Sequence, residues 1–381
     1  MKNLRMDLFT DFKCIGSKCP YTCCKGWSVF IDKEAAEYYK KVEGELGEKL
    51  KKSIKYEGEK ISFIMDKNDR CPFLNDDNLC DIYINLGPEN MCNICREFPR
   101  ISHQYGDIYF LTVYQDCPEV AKMLIEKKEP IKFQFAESDK IKADIKEDID
   151  WKKFNNYIDA FVTVEDIVSN QSISIQNRIK LVILFSKQFD ELQDDSSNEI
   201  QQMLEFFGNE ENYKQIIPDL EKIEYLPNKD ILFFRQVVEI PMLREDAKHC
   251  REFFSDEGIS RYKNDIKNNE ESASKLHNLQ EKLLQVILFK YFMEGFNIDD
   301  FKKVFFEGMI LYKVYEYSFK NIYFDTGDVF NEERIIERIA KIGRILEHTV
   351  DEKKEKRNYK IILEKLKENG IYEYDILLEI T

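Results

Sequence analysis

Nine of the ten cysteines in this chain of 381 residues fall between Cys14 and Cys117, and only Cys250 lies in the remaining two-thirds. Their spacing is Cys14-x4-Cys19-x3-Cys23-Cys24, then Cys71-x8-Cys80-x11-Cys92-x2-Cys95, then Cys117. Thiolates are soft ligands, and a crowd of them in one short stretch is how chains hold zinc, iron or an iron–sulfur cluster. Two thiols separated by two residues, as at Cys92 and Cys95, can turn back onto one centre. The adjacent Cys23 and Cys24 cannot both face one ion comfortably, so they serve different ions or one supports the other. Nine thiols exceed a single four-thiolate site, which leaves two sites, or one site with spare thiols. Four thiolates close a tetrahedral zinc or one cubane cluster equally well, so both metals remain open.

Disulfides are the competing use of such a pattern. The chain opens MKNLRMDLFTDF, without the apolar stretch and small-residue cleavage site of a signal peptide. The expected compartment is therefore the cytoplasm, where stable disulfides are rare. Cys250, within His249–Phe254 (HCREFF), reads as a small buried hydrophobe. His103 reads as a surface or hydrogen-bonded histidine rather than a ligand.

Charge and hydropathy narrow the partners. No apolar run approaches the ~20 residues that span a bilayer, so no membrane partner is expected. The net charge is −15, residues 1–130 are nearly balanced, and the excess acid falls on residues 131–381. Such a surface repels phosphates, which argues against nucleic acid. It favours a lysine-rich partner surface, although acidity that only serves solubility accounts for it equally well.

The pattern predicts a mostly α protein: an irregular cysteine-rich metal domain with short strands over residues 1–130, then an α-helical domain over residues 131–381. Strands are expected at 60–65 and 108–114, where β-branched and aromatic residues gather. Residues 33–54 favour a helix interrupted by Gly44 and Gly47, and Asn75–Asn78 signals a turn before Cys80. Farther on, Leu276, Leu279, Leu283, Leu284, Ile287, Leu288, Tyr291 and Phe292 recur at helical spacing. Similar patterns mark 179–192, 231–254 around Pro241, 335–346 and 360–367, and Phe305, Phe306 and Phe319 read as core. No glycine-rich nucleotide loop, HExxH or GxSxG motif is present. The cysteine spacing does not match the three-cysteine motif of radical enzymes either. Catalytic and donor-binding residues stay unassigned.

Four segments in order, FKCIGSKCPYTCCKGWSVFID (Phe12–Asp32), CPFLNDDNLCDIYINLG (Cys71–Gly87), MCNICREFPR (Met91–Arg100) and LTVYQDCPEVAKML (Leu111–Leu124), resemble the flagellin lysine-N-methylase family. The N-terminal part is also similar to a broader cysteine-rich zinc- or iron-chelating domain. The resemblance covers roughly residues 8–125. It implies transfer of methyl groups from S-adenosylmethionine to surface lysines of flagellin, or of another lysine-rich protein, by a protein carrying an iron–sulfur cluster, with zinc as the alternative. It further implies that the ligands come from Cys14, Cys19, Cys23, Cys24, Cys71, Cys80, Cys92, Cys95 and Cys117. The alternative function is a non-catalytic zinc- or iron-binding or redox module.

Overall fold

The computed structural model describes residues 2–106, 108–137, 149–193, 198–298, 300–351 and 356–381. Helices dominate, as the apolar periodicity predicts, and the longest run from Glu270 to Ile298 and from Phe301 to Thr326. The leucine and aromatic series Leu276–Phe292 is buried along the first of them, and Phe305, Phe306 and Phe319 are buried on the second. Gly308 lets the two helices approach closely: a Cβ there would stand 3.0 Å from Ile287 Cγ2 and 3.1 Å from the Tyr291 ring. The second helix is capped by the Asp300 carboxylate on Lys303 N and ends on Gly327 in the left-handed region.

Other expected helices form with boundaries that follow their breakers. Residues 33–54 split into Lys33–Lys41 and Gly44–Ser53, with Gly44 at φ +77° at the start of the second, whereas Gly47 lies within that helix and does not interrupt it, contrary to expectation. Around Pro241 the chain makes a helix from Pro227 to Val238, a 3₁₀ segment from Pro241 to Ala247 and a short helix from Cys250 to Phe253. No helix among the described residues is long and apolar enough to cross a membrane.

The cysteine-rich third contains more sheet than its sequence announces. Strands Lys2–Met6 (β1), Ile54–Glu57 (β2), Lys60–Phe63 (β3), Arg100–Tyr105 (β4), Ile108–Val113 (β5) and Phe133–Glu137 (β6) form by residue 137. β2 and β3 make a hairpin, while the others form one sheet in the order β4-β5-β1-β6. β1 runs parallel to β5, with Leu4 opposite Phe110, and antiparallel to β6. β5 lies in the interior, and every residue from Tyr109 to Val113 is buried. Only β3 and β5 carry a local signal strong enough to expect; β1 and β4 are strands because β5 offers them edges.

Buried side chains divide into two clusters. Leu4, Met6, Leu8, Phe12, Tyr105 and Phe110 join the large core of the helices. A small core within residues 27–92, with Trp27, Tyr39, Phe63, Phe73 and Ile82, packs separately and carries most of the cysteines on its flank.

Candidate metal centre

Local chemistry turns the cysteines inward. The Asn75–Asn78 turn forms as expected: the Asn75 side chain accepts from Asp77 N and Leu79 N, and Asn78 takes φ +56°. Leu74 and Cys80 then pair across it, while Cys71 N donates to Cys24 O at 2.8 Å. Asp32 holds a third stretch in place. One carboxylate oxygen accepts from Ala35 N at 2.9 Å, capping Lys33–Lys41, and the other accepts from Asn93 N at 2.7 Å, between Cys92 and Cys95. Cys80, Cys92 and Cys117 each occupy the residue before a helix, where backbone N–H groups stabilise a thiolate.

All nine cysteines from Cys14 to Cys117 line one cavity of about 630 Å³. Cys250 is elsewhere, packed against the helical core, and His103 is half-buried on β4 and does not line the cavity. The thiols interact in a graded way. Cys23 and Cys24 hydrogen-bond to each other, as do Cys92 and Cys95. In the first pair the hydrogen bond from Cys23 holds Cys24 down at about 7, and in the second the bond from Cys95 lowers Cys92. Burial pushes Cys71 and Cys117 up to about 12, and it also raises Cys19 and Cys80. A cavity of mostly protonated thiols binds metal by releasing protons. Among the described residues, no group of three or more His, Cys, Asp or Glu side chains is arranged to hold a single metal ion.

The cavity wall includes groups that the cysteine pattern could not reveal. Helix Glu332–Gly343 ends in a π-helical turn, Arg344–His348, a conformation often found at functional sites. Arg344 lines the cavity and is only 9% exposed. Its guanidinium donates to the carbonyls of Tyr21 (2.6 Å), Thr22 (3.0 Å) and Lys25 (3.4 Å), which flank Cys23 and Cys24. His348 packs edge-on against Trp27, with ring centroids 4.4 Å apart, and against Tyr114 at 4.8 Å. Its Nε2 lies 2.9 Å from Asp116 Oδ2 but off the hydrogen-bonding direction, so the fully buried Asp116 carboxylate has no hydrogen-bond donor among the described residues.

Behind this wall Glu347 pairs with Lys290 and accepts from Tyr291 at 2.9 Å and Gln115 at 3.1 Å. Gln115, Asp116 and Cys117 thus face three different partners in sequence: a buried ion pair, a histidine and the thiol cavity. The aspartate beside a clustered cysteine was the only local hint of this wall. Arg344 had none, because it lies on a helix far beyond Cys117 in sequence.

A mostly helical body bearing a cavity lined by nine thiols defines a cysteine-rich protein with a thiol-lined cavity. No family model matches the chain, and no solved structure matches it. Among curated proteins, the flagellar biosynthetic protein FliU of Salmonella muenchen is 30% identical over 125 residues, which cover 30% of this chain and 72% of that protein. Lysine-N-methylases of Salmonella choleraesuis and Salmonella typhimurium are also 30% identical over 125 residues, covering 30% of each. The chain belongs to the flagellin lysine methylase family represented by FliU and these lysine-N-methylases. The matched stretch spans less than a third of the two lysine-N-methylases.

Proposed function

We propose that this protein is a lysine N-methyltransferase acting on flagellin, with S-adenosylmethionine as methyl donor and a cysteine-ligated iron–sulfur cluster in the thiol cavity. The observation that carries the reading is the convergence of all nine N-terminal thiols on one cavity in a chain of this family. The donor set is purely sulfur, which suits iron–sulfur chemistry. A cavity of about 630 Å³ lined by nine thiols has room for a polynuclear cluster. The ligands would be drawn from Cys14, Cys19, Cys23, Cys24, Cys71, Cys80, Cys92, Cys95 and Cys117, all of which line the cavity.

Methyl transfer forms a bond between lysine Nζ and the donor methyl carbon while the carbon–sulfur pair returns to sulfur. The amine must first lose its proton, and a dry, apolar pocket favours its neutral form. Trp27, Phe98 and Phe73 along the cavity supply such apolar walls. A bound cluster would supply an iron able to hold the donor's amino and carboxylate groups, a task for which the chain has no glycine-rich loop.

The test is to incubate iron-loaded protein with donor and flagellin and follow single-methyl mass steps on lysines. No step with fully loaded protein overturns the reading. Bound zinc, or a reversible one-electron signal without donor binding, would instead support the non-catalytic metal or redox module.

A further inference from the structure

Arg344 has two features that its sequence position does not explain. Its terminal nitrogens grip three carbonyls of the Tyr21–Lys25 loop, which carries Cys23 and Cys24. Its Nε is a buried donor without a hydrogen-bond partner among the described residues, although the side chain lines a cavity walled by sulfur. An unpaired buried N–H is costly unless an acceptor joins it. Thiols are the groups concentrated in that cavity, and they become anionic once metal is bound.

The supporting backbone is equally specific. At Gly343 a Cβ would fall 2.4 Å from Asp116 Cβ, so the end of the helix that leads into the π-turn is pressed against the residue that precedes Cys117. The junction of helix and π-turn therefore touches two separate thiol-bearing segments, one through Gly343 and one through Arg344.

We propose that Arg344 is a positioning residue of the thiol centre: its fork clasps the Cys23–Cys24 loop, and its Nε–H and positive charge serve the bound sulfur–metal group. This rests on the reading of the cavity as a metal centre. Outer groups that hydrogen-bond to metal ligands typically govern affinity by 10–100-fold. A nearby cation also favours the reduced, more negative state of a redox centre, because it offsets the added electron.

The experiment compares wild type with Arg344→Gln, Arg344→Lys and Gly343→Ala. Affinity is read by chelator competition, loop order by amide exchange over residues 19–25, and the iron-loaded centre by its reduction potential. Arg344→Gln is expected to lose about 10–100-fold in metal affinity, to exchange faster in the loop and to show a lower potential. Arg344→Lys should recover the potential but not the loop protection, since one ammonium cannot span three carbonyls as a planar fork does. Gly343→Ala should weaken affinity with Arg344 intact, by displacing the turn.

Wild-type affinity, exchange and potential in Arg344→Gln would overturn the proposal, and full loop protection in Arg344→Lys would overturn the role of the fork. If the wild-type chain binds no metal, the metal-centre reading fails on its own. Faster loop exchange in metal-free Arg344→Gln would still support the clasp, and unchanged exchange would overturn it.

Discussion

Glu347 is the residue whose loss should most damage the wall behind the thiol cavity. It is 2% exposed, pairs with a Lys290 side chain that is 7% exposed, and accepts from Tyr291 and Gln115. Burial alone would push the Lys290 ammonium down, and the Glu347 carboxylate outweighs that and raises it. Removing the carboxylate leaves an ammonium buried without its counter-charge, a change that typically costs 3–5 kcal/mol. The orphaned Tyr291 hydroxyl would cost about 1–3 kcal/mol separately, while the Gln115 amide keeps its bond to Tyr315 Oη at 3.2 Å, and the terms do not simply add. Glu347→Ala should therefore lose about 4 kcal/mol. Glu347→Gln removes the same charge but keeps an oxygen that can accept from Tyr291, so it should lose somewhat less, about 3 kcal/mol. Against a typical stability of about 5–15 kcal/mol the first loss is large. Urea unfolding followed by tryptophan fluorescence suits the measurement, because Trp27 packs on His348 of the same turn. Replacing the pair with Lys290→Met and Glu347→Leu together should recover most of the loss, since the unpaired ammonium is removed along with the carboxylate. A cost below about 1 kcal/mol for Glu347→Ala, or a double variant no more stable than the single one, would refute the argument.

The same pair sets an alkaline limit. The folded Lys290 lies above its ordinary 10.5, so its contribution is intact below that value and disappears as pH rises through the folded one. Wild type should thus lose more stability above about pH 10.5 than the Lys290→Met/Glu347→Leu variant, measured by thermal unfolding across a pH series. Cys95→Ser should release bound metal and loosen residues 13–98, whereas Cys250→Ser should leave metal content unchanged by elemental analysis, because Cys250 packs on the helical core away from the cavity. Equal metal loss in both would contradict the cavity assignment. Gly308→Ala should cost about 1–3 kcal/mol by pressing the two longest helices apart, and a neutral result by urea unfolding would show that Ile287 and Tyr291 can yield.

Much of this protein was legible without coordinates, for reasons that are local. A 3.6-residue apolar period needs no partner to be recognised, so the helices around Leu276–Phe292 and Phe305 could be expected, and they are buried. Turn chemistry is also local, and Asn75 forms its turn with its own side chain. The cysteine spacing pointed to a thiol centre because soft ligands crowded into one stretch, with two thiols separated by two residues, can turn back onto one site.

The tertiary structure decided what depends on contacts between distant residues. Strands β1 and β4 have weak local signals and exist because the buried β5 lies between them, with β1 drawn from the start of the chain. The spacing left open whether nine thiols meet in one place, and folding brings Cys14, Cys71 and Cys117 to the same cavity. Arg344 and the Glu347–Lys290 pair carried no sequence signal at all. A charged residue on a helix looks alike whether it faces water or a buried carboxylate. Only the packing of helices Glu270–Ile298 and Glu332–Gly343 behind the cysteine lobe removes the water and makes those charges part of the site.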